Sequence, residues 1–218
     1  MKLGMMHMSD GRRNAVAAMA RVGAVIVLLA GGAMSGCSNR PRSNPAEDRQ
    51  RSLGEAVTLA NRGQSAMKAG EYTKAIELFT QSIQAAPDFG ASWHELGLAH
   101  MKRGVDDDYM KAGQALQRAA SLMPTDPKPL RNLGILYQQR GFEAEALKHF
   151  EDALLIAPND IDSLRGAAAS VKLLKKTDAI TLDMLKRAQM IETDPTWRDL
   201  IMRERIRVEN ELEERLKG

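Results

Sequence analysis

Aromatic side chains are scarce in this chain of 218 residues: two Trp, three Tyr and four Phe make up 4% of it. That excludes a core built on large rings, although 44% hydrophobic residues suffice to bury one of ordinary size. Sheet formers are also few, while Ala, Leu, Met, Glu, Lys, Arg and Gln dominate, so the composition favours helices packed through small residues. One cysteine, Cys37, rules out an internal disulfide. Of the histidines, His94 and His100 lie six apart on one predicted helix and point in different directions, and His149 sits beside Phe150 in another segment. The patterns HExxH, paired CxxC, GxxxxGK(S/T) and GxSxG are all missing. Asp106-Asp107-Asp108 lacks the alternating spacing and downstream Glu of a calcium loop and reads as a solvated turn in which Asp108 starts a helix. No catalytic residue, metal site or cofactor is therefore expected, and the chain is read as a non-enzyme.

The net charge of +3 would suit nucleic acid or an anionic surface if it were spread over the chain. It is not. Residues 1–36 hold Lys2, Arg12, Arg13 and Arg21 against Asp10 alone; removing these from totals of 31 basic and 28 acidic residues leaves 27 of each. With no basic stripe in the remainder, nucleic acid is excluded as a partner.

From Val22 to Met34 no residue is charged, and Val25, Ile26, Val27, Leu28 and Leu29 are strongly apolar. A bilayer-spanning helix needs about 20 apolar residues and an export-signal core about 7–15, so the run reads as a cleavable signal. It ends in Met34-Ser35-Gly36-Cys37, which resembles the lipobox of bacterial lipoproteins. The resemblance implies cleavage after residue 36, acylation of the Cys37 thiol and anchoring to a membrane by two or three acyl chains, far firmer than one. Met34 departs from the usual Leu, Val or Ile, and two alternatives stay open: an ordinary signal peptide with an incidental cysteine, or an unprocessed membrane anchor without lipidation. Because Ser38 is not the aspartate that retains such lipoproteins at an inner membrane, the resemblance also implies the periplasmic face of the outer membrane of a two-membrane bacterium. Residues 37–51, polar and broken by Pro41 and Pro45, read as a flexible tether reaching up to about 40 Å.

Beyond the tether the chain repeats itself. GQSAMKAGEYTKAIELFTQSIQAAP from Gly63, GLAHMKRGVDDDYMKAGQALQRAASLMP from Gly97 and GILYQQRGFEAEALKHFEDALLIAP from Gly134 place the same residue types in the same order. Gly63, Gly97 and Gly134 align, as do Gly70, Gly104 and Gly141, then Ala75, Ala112 and Ala146. Phe79, Leu116 and Phe150 follow, then Ser82, Ala119 and Ala153, and Pro87, Pro124 and Pro158. The first interval is 34 residues; the second is 37, with three extra residues around Val105 to Asp108. With Trp93, Leu96 and Gly97, and Leu133, Gly134 and Tyr137, this resembles the tetratricopeptide repeat, a helix-turn-helix unit of 34 residues. The pattern carries its own physics. Small residues let paired helices approach, the bulky residue fills between them, the second glycine ends the first helix, and proline stops the second.

A weaker fourth unit spans about 161–194, with Leu164, Ala168 and Val171 on one helix and Leu182, Leu185 and Ala188 on the next, but without the glycine turn. In the tail 195–218, Trp197, Ile201, Val208, Leu212 and Leu216 fall near one helical stripe, read as a capping helix, with a dimerising coiled coil as the alternative. The expected fold is all-α: a solenoid of antiparallel helix pairs over 52–194, with repeats at about 56–89, 90–126, 127–160 and 161–194, closed by that cap.

Proteins of this repeat class hold a partner along the face made by first helices. Projected onto it are Gln64, Lys68, His94, Leu98, Lys102, Lys128, Arg131, Ile135, Gln138, Arg165 and Lys172, a surface both basic and apolar. It suits a protein or peptide segment bearing acidic residues or a carboxyl terminus. Cytosolic co-chaperones of the class grip two carboxylates with Asn, Lys and Arg; Lys128 and Arg131 have that chemistry, but Glu95 stands where a neutral amide belongs, which argues against a heat-shock protein. Lipobox, tether and repeats together resemble the repeat lipoproteins of pilus and cell-envelope assembly, implying an outer-membrane scaffold for protein–protein interaction.

Overall fold

The computed structural model describes residues 44–105 and 107–217. Among these, nine helices follow one another without a strand: α1 (Pro45–Lys68), α2 (Tyr72–Ala85), α3 (Gly90–Arg103), α4 (Asp108–Leu122), α5 (Lys128–Gln139), α6 (Glu143–Ile156), α7 (Ile161–Leu174), α8 (Ala179–Ile191) and α9 (Pro195–Lys217). The signal segment 1–36 and Cys37 lie outside the described residues. No described helix is long and apolar enough to cross a membrane.

Part of the expected tether is corrected. Residues 45–51 open α1, because Asn44 caps it by accepting from the Ala46 amide at 3.1 Å, Pro45 fits the first turn, and Glu47 and Asp48 lie at its positive end. A polar run without large apolar residues is also what an exposed first turn looks like.

Local chemistry sets the other boundaries. The residues before Pro87, Pro124 and Pro158 leave the helical region, with φ/ψ of −139/90 at Ala86, −127/64 at Met123 and −129/86 at Ala157, and end α2, α4 and α6. Gly70, Gly104 and Gly141 take φ of +76, +64 and +77 at the ends of α1, α3 and α5. The fourth turn has no such glycine, and Lys175 bears φ 51 there.

Helices pair as α1/α2, α3/α4 and α5/α6, each pair closed by the same close approach. A β-carbon on Gly63 would sit 2.6 Å from the Phe79 ring, on Gly97 2.7 Å from Leu116, and on Gly134 2.6 Å from Phe150. Phe79, Leu116 and Phe150 are fully buried. Successive odd-numbered helices touch one another, whereas successive even-numbered helices do not. The odd helices therefore line the inner side of the stack and the even ones its outer side.

α7 and α8 form the loosest pair. α9 lies across both, burying Ile201 and Val208 in the cluster that holds Leu164, Val171 and Leu185, with Trp197 and Leu212 at its edge. Glu204 lies on the stripe between them, buried and paired with Arg207 at 2.8 Å. Leu216, placed on the same stripe by its spacing, is corrected: it is 88% exposed, because α9 outruns the pair it covers.

Lys175 offers a direct test. Its side chain makes no ion pair among the described residues, so Lys175→Gly relieves the left-handed strain at the cost only of a more flexible unfolded backbone. The substitution should raise stability by roughly 0.5–1 kcal/mol, read from the denaturant midpoint at unchanged slope.

Candidate functional site: the inner face of the helix stack

The eleven residues expected to form a groove all lie on α1, α3, α5 and α7, the helices of the inner face. Their side chains divide into two sets.

One set is consumed in bonds that tie each odd helix to the next. Gln64 of α1 donates to Glu95 of α3 at 3.5 Å. His94 of α3 meets Asn132 of α5 at 2.7 Å through its Nε2. Burial pushes the pKa of His94 down, opposed by Asp126 and aided by Lys128 and Arg131, which favours the neutral ring as acceptor for the Asn132 amide. Gln138 of α5 donates to the Gly166 carbonyl at 3.3 Å and the Ser170 hydroxyl at 3.2 Å on α7. Arg131 of α5 reaches Asp160, the cap of α7, at 2.8 Å, with Asp162 at 3.6 Å. Arg165 of α7 forms a two-pronged pair with Glu192, both contacts at 2.7 Å, and lies 5.8 Å over the Trp197 ring. Arg131 and Arg165, expected as free cations of the groove, are thus corrected: both are neutralised within the stack.

Glu192 is the strongest of these partners. Its side chain is fully buried. The Arg165 fork, with the Asp194 and Thr193 amides also donating, holds its carboxyl at about 2 against burial that opposes ionisation.

The second set stays open. Lys68, Lys102, Lys128 and Lys172, one on each odd helix, are exposed and make no ion pair among the described residues. Leu98 on α3 and Ile135 on α5 are half-buried. Beside them, burial raises the pKa of Glu95, partly offset by the hydrogen bond from Gln64 and by the Lys128 charge.

Sequence reasoning missed Asn132, Asp160, Ser170 and Glu192, since nothing local marks residues 27 to 38 positions from their partners. It also read Asp108 as solvated. Asp108 is 1% exposed, held by His100 at 2.7 Å and by a fork from Arg103 at 2.6 and 2.8 Å, and its carboxyl is lowered well below the usual carboxylate range, by Arg103 first. Among the described residues no group of three or more His, Cys, Asp or Glu is placed to hold a metal ion.

Residues 56–89 match the tetratricopeptide repeat. Over 102 residues, 45% of this chain and 57% of the relative, the sequence is 29% identical to photosystem I assembly protein Ycf3 of Synechococcus sp. (strain CC9311). Protein FlbA of Caulobacter vibrioides (strain ATCC 19089 / CIP 103742 / CB 15) is 26% identical over 147 residues, 67% of this chain and 24% of that one. The chain spans about half the length of the Ycf3 relatives it matches. Among solved structures, MamA superposes with a TM-score of 0.53 at 19% identity, covering 78% of this chain and 88% of MamA. The first repeat domain of Spaghetti (RPAP3), bound to the HSP90 peptide SRMEEVD, gives 0.53 at 20%, covering 57% and 96%.

The Glu192 pair generates a pH test. A carboxyl depressed from 4.5 to about 2 in the folded state adds stability that is complete above pH 4.5 and is lost as the pH falls from there toward 2. Glu192→Gln should flatten the stability profile in that window, and Arg165→Gln, which strands the buried carboxylate, should cost about 3–5 kcal/mol at neutral pH. Urea titrations from pH 2 to 7 measure both. A helix-pair solenoid of the tetratricopeptide-repeat fold, polar-bonded along its inner face and studded there with unpaired lysines, is what residues 45–194 form.

Proposed function

We propose that this protein is a scaffold that holds an envelope protein on the inner face of its helix stack, and that Cys37 anchors it by acyl chains to the periplasmic face of an outer membrane. The observation that carries the holding role is the division of that face: its arginines are spent on internal carboxylates, while Lys68, Lys102, Lys128 and Lys172 present four uncompensated cations beside Leu98 and Ile135. Such a surface suits an extended or helical segment with spaced acidic residues over an apolar contact. The names of the relatives are consistent with it, since Ycf3 is an assembly protein. Pilus assembly is the envelope process we favour, on the likeness of lipobox, short spacer and repeats. The anchor rests on Met34-Ser35-Gly36-Cys37 after an uncharged run.

A photo-crosslinking residue at Leu98 should trap an envelope protein in intact cells, and one at the outer-face Leu155, 82% exposed, should not. Equal trapping from both positions, or none from Leu98, refutes the inner face as the holding surface. Adding Lys102→Glu and Lys128→Glu should lower the Leu98 crosslink at least about tenfold, as two attractive charges become repulsive.

For the anchor, Cys37→Ser should move the exported protein from the membrane pellet to the soluble fraction. Retention in the pellet at wild-type level would reject lipidation.

A further inference from the structure

The second helix pair departs from its neighbours at one place. Three residues after the aligned glycine, pairs one and three carry Ala66 and Tyr137, and this pair carries His100; just beyond comes the three-residue insertion. His100 is 6% exposed, and its Nδ1 is held at 2.7 Å by Asp108. Asp108 itself is saturated by the Arg103 fork and the Val105 amide at 3.1 Å. Burial lowers the pKa of His100, so at neutral pH the ring is uncharged, with its proton on Nδ1 toward Asp108. Nε2 has no partner among the described residues, and His100 lines a cavity of about 400 Å³.

That cavity lies between the second and third pairs, walled by the α3 end, the inserted turn, the start of α4 and the end of α5. Its apolar walls are Met101, Val105 and Leu136, and among the described residues no acidic side chain lines it. Arg140 stands at its edge with its guanidinium 4.8 Å over the Tyr109 ring, fixed by that stacking and without a carboxylate partner among the described residues. The volume is that of a small-ligand site. None of the eleven inner-face residues lines it, so it is independent of the holding surface.

We infer that this cavity binds a carboxylate carried on a short apolar group, its oxygens on the Arg140 guanidinium and the Nε2 edge of His100, its apolar part against Met101, Val105 and Leu136. An unpaired arginine fixed at the rim of an apolar recess selects an anion with an apolar body over a strongly hydrated inorganic ion. Among the described residues the charged groups around His100 are Arg103 on α3, Asp108 and Lys111 on α4, and Arg140 on α5. An anion reaching Nε2 converts that edge from acceptor to donor by drawing a proton onto the ring, so binding tightens as the pH falls below neutrality.

The probes are 4-methylpentanoate and its uncharged amide, titrated into the exported protein and followed by amide resonances of Gly104, Val105 and Arg140 and by the His100 ring. Saturable shifts with the acid, at a dissociation constant of order 1 mM, and none with the amide are expected. Arg140→Gln, at an exposed position, should weaken binding about tenfold or more while leaving the remaining spectrum intact. A blocked tetrapeptide ending in a free leucine carboxylate separates the two sources: tighter binding than the acid assigns the site to a partner's chain terminus, weaker binding to a free small acid. Absence of saturable shifts with both, equal binding of the amide, or an unchanged constant in Arg140→Gln overturns the site.

Discussion

The stack depends on a steric exchange repeated three times: a first helix gives up a side chain so that a second helix can bury a large one in its place. At Gly63, Gly97 and Gly134 a β-carbon would stand well inside contact distance of Phe79, Leu116 and Phe150. Glycine within a helix costs about 1 kcal/mol, but fully burying a Phe or Leu side chain contributes about 1.5–3 kcal/mol and fixes the distance between the helices. Gly166 of α7 leans on Phe150 from the following pair, so one ring is clasped by glycines of two pairs. With so few aromatic residues in the chain, the two it commits to these positions govern both the pairing and, at Phe150, the stacking of one pair on the next.

Close pairing brings the odd helices together on one side, and their polar groups must then be satisfied there. A bond lost between two half-buried groups costs more than the net gain from making it, so Asn132, Gln138 and Ser170 are held by neighbours across the helix junctions. The same requirement consumes Arg131 and Arg165, whose planar forks suit the carboxylates of Asp160 and Glu192. Lysines carry their charge on long flexible stems and stay in water. The inner face thereby separates its cations by chemistry: arginine joins helices, and lysine stays in water.

The legible part of this architecture was what a few neighbouring residues decide. Glycine turns at 70, 104 and 141 and the stops before Pro87, Pro124 and Pro158 are properties of two or three residues, and they recur at the same register, so the helix pairs could be placed without coordinates. The start of α1 could not, because Asn44-Pro45 followed by acidic residues suits both a polar tether and a capped helix, and packing farther along α1 decides between them. For the inner face, periodicity placed Gln64, His94, Arg131 and Gln138 where they meet the next helix pair. It could not tell a bonded arginine from a free one: Arg165 and Glu192 are 27 residues apart and meet only when α7, α8 and α9 have packed.

The departures from the repeat bear on this most directly. In the fourth unit the missing glycine turn leaves Lys175 in a left-handed conformation, and α7 and α8 close less completely; α9 compensates by lying across both and by fastening their turn through Arg207 to the Lys176 carbonyl and Glu211 to Thr177. In the second unit three additional residues lengthen the turn, and a buried carboxylate is the device that closes it. Asp108 draws His100, Arg103 and the Val105 amide onto itself, and so the inserted turn is pinned to the end of α3. The first pair, which lacks the insertion, carries Ala66 at the place of His100. The cavity opens at this same junction, bounded by Val105 on the turn and Leu136 on α5.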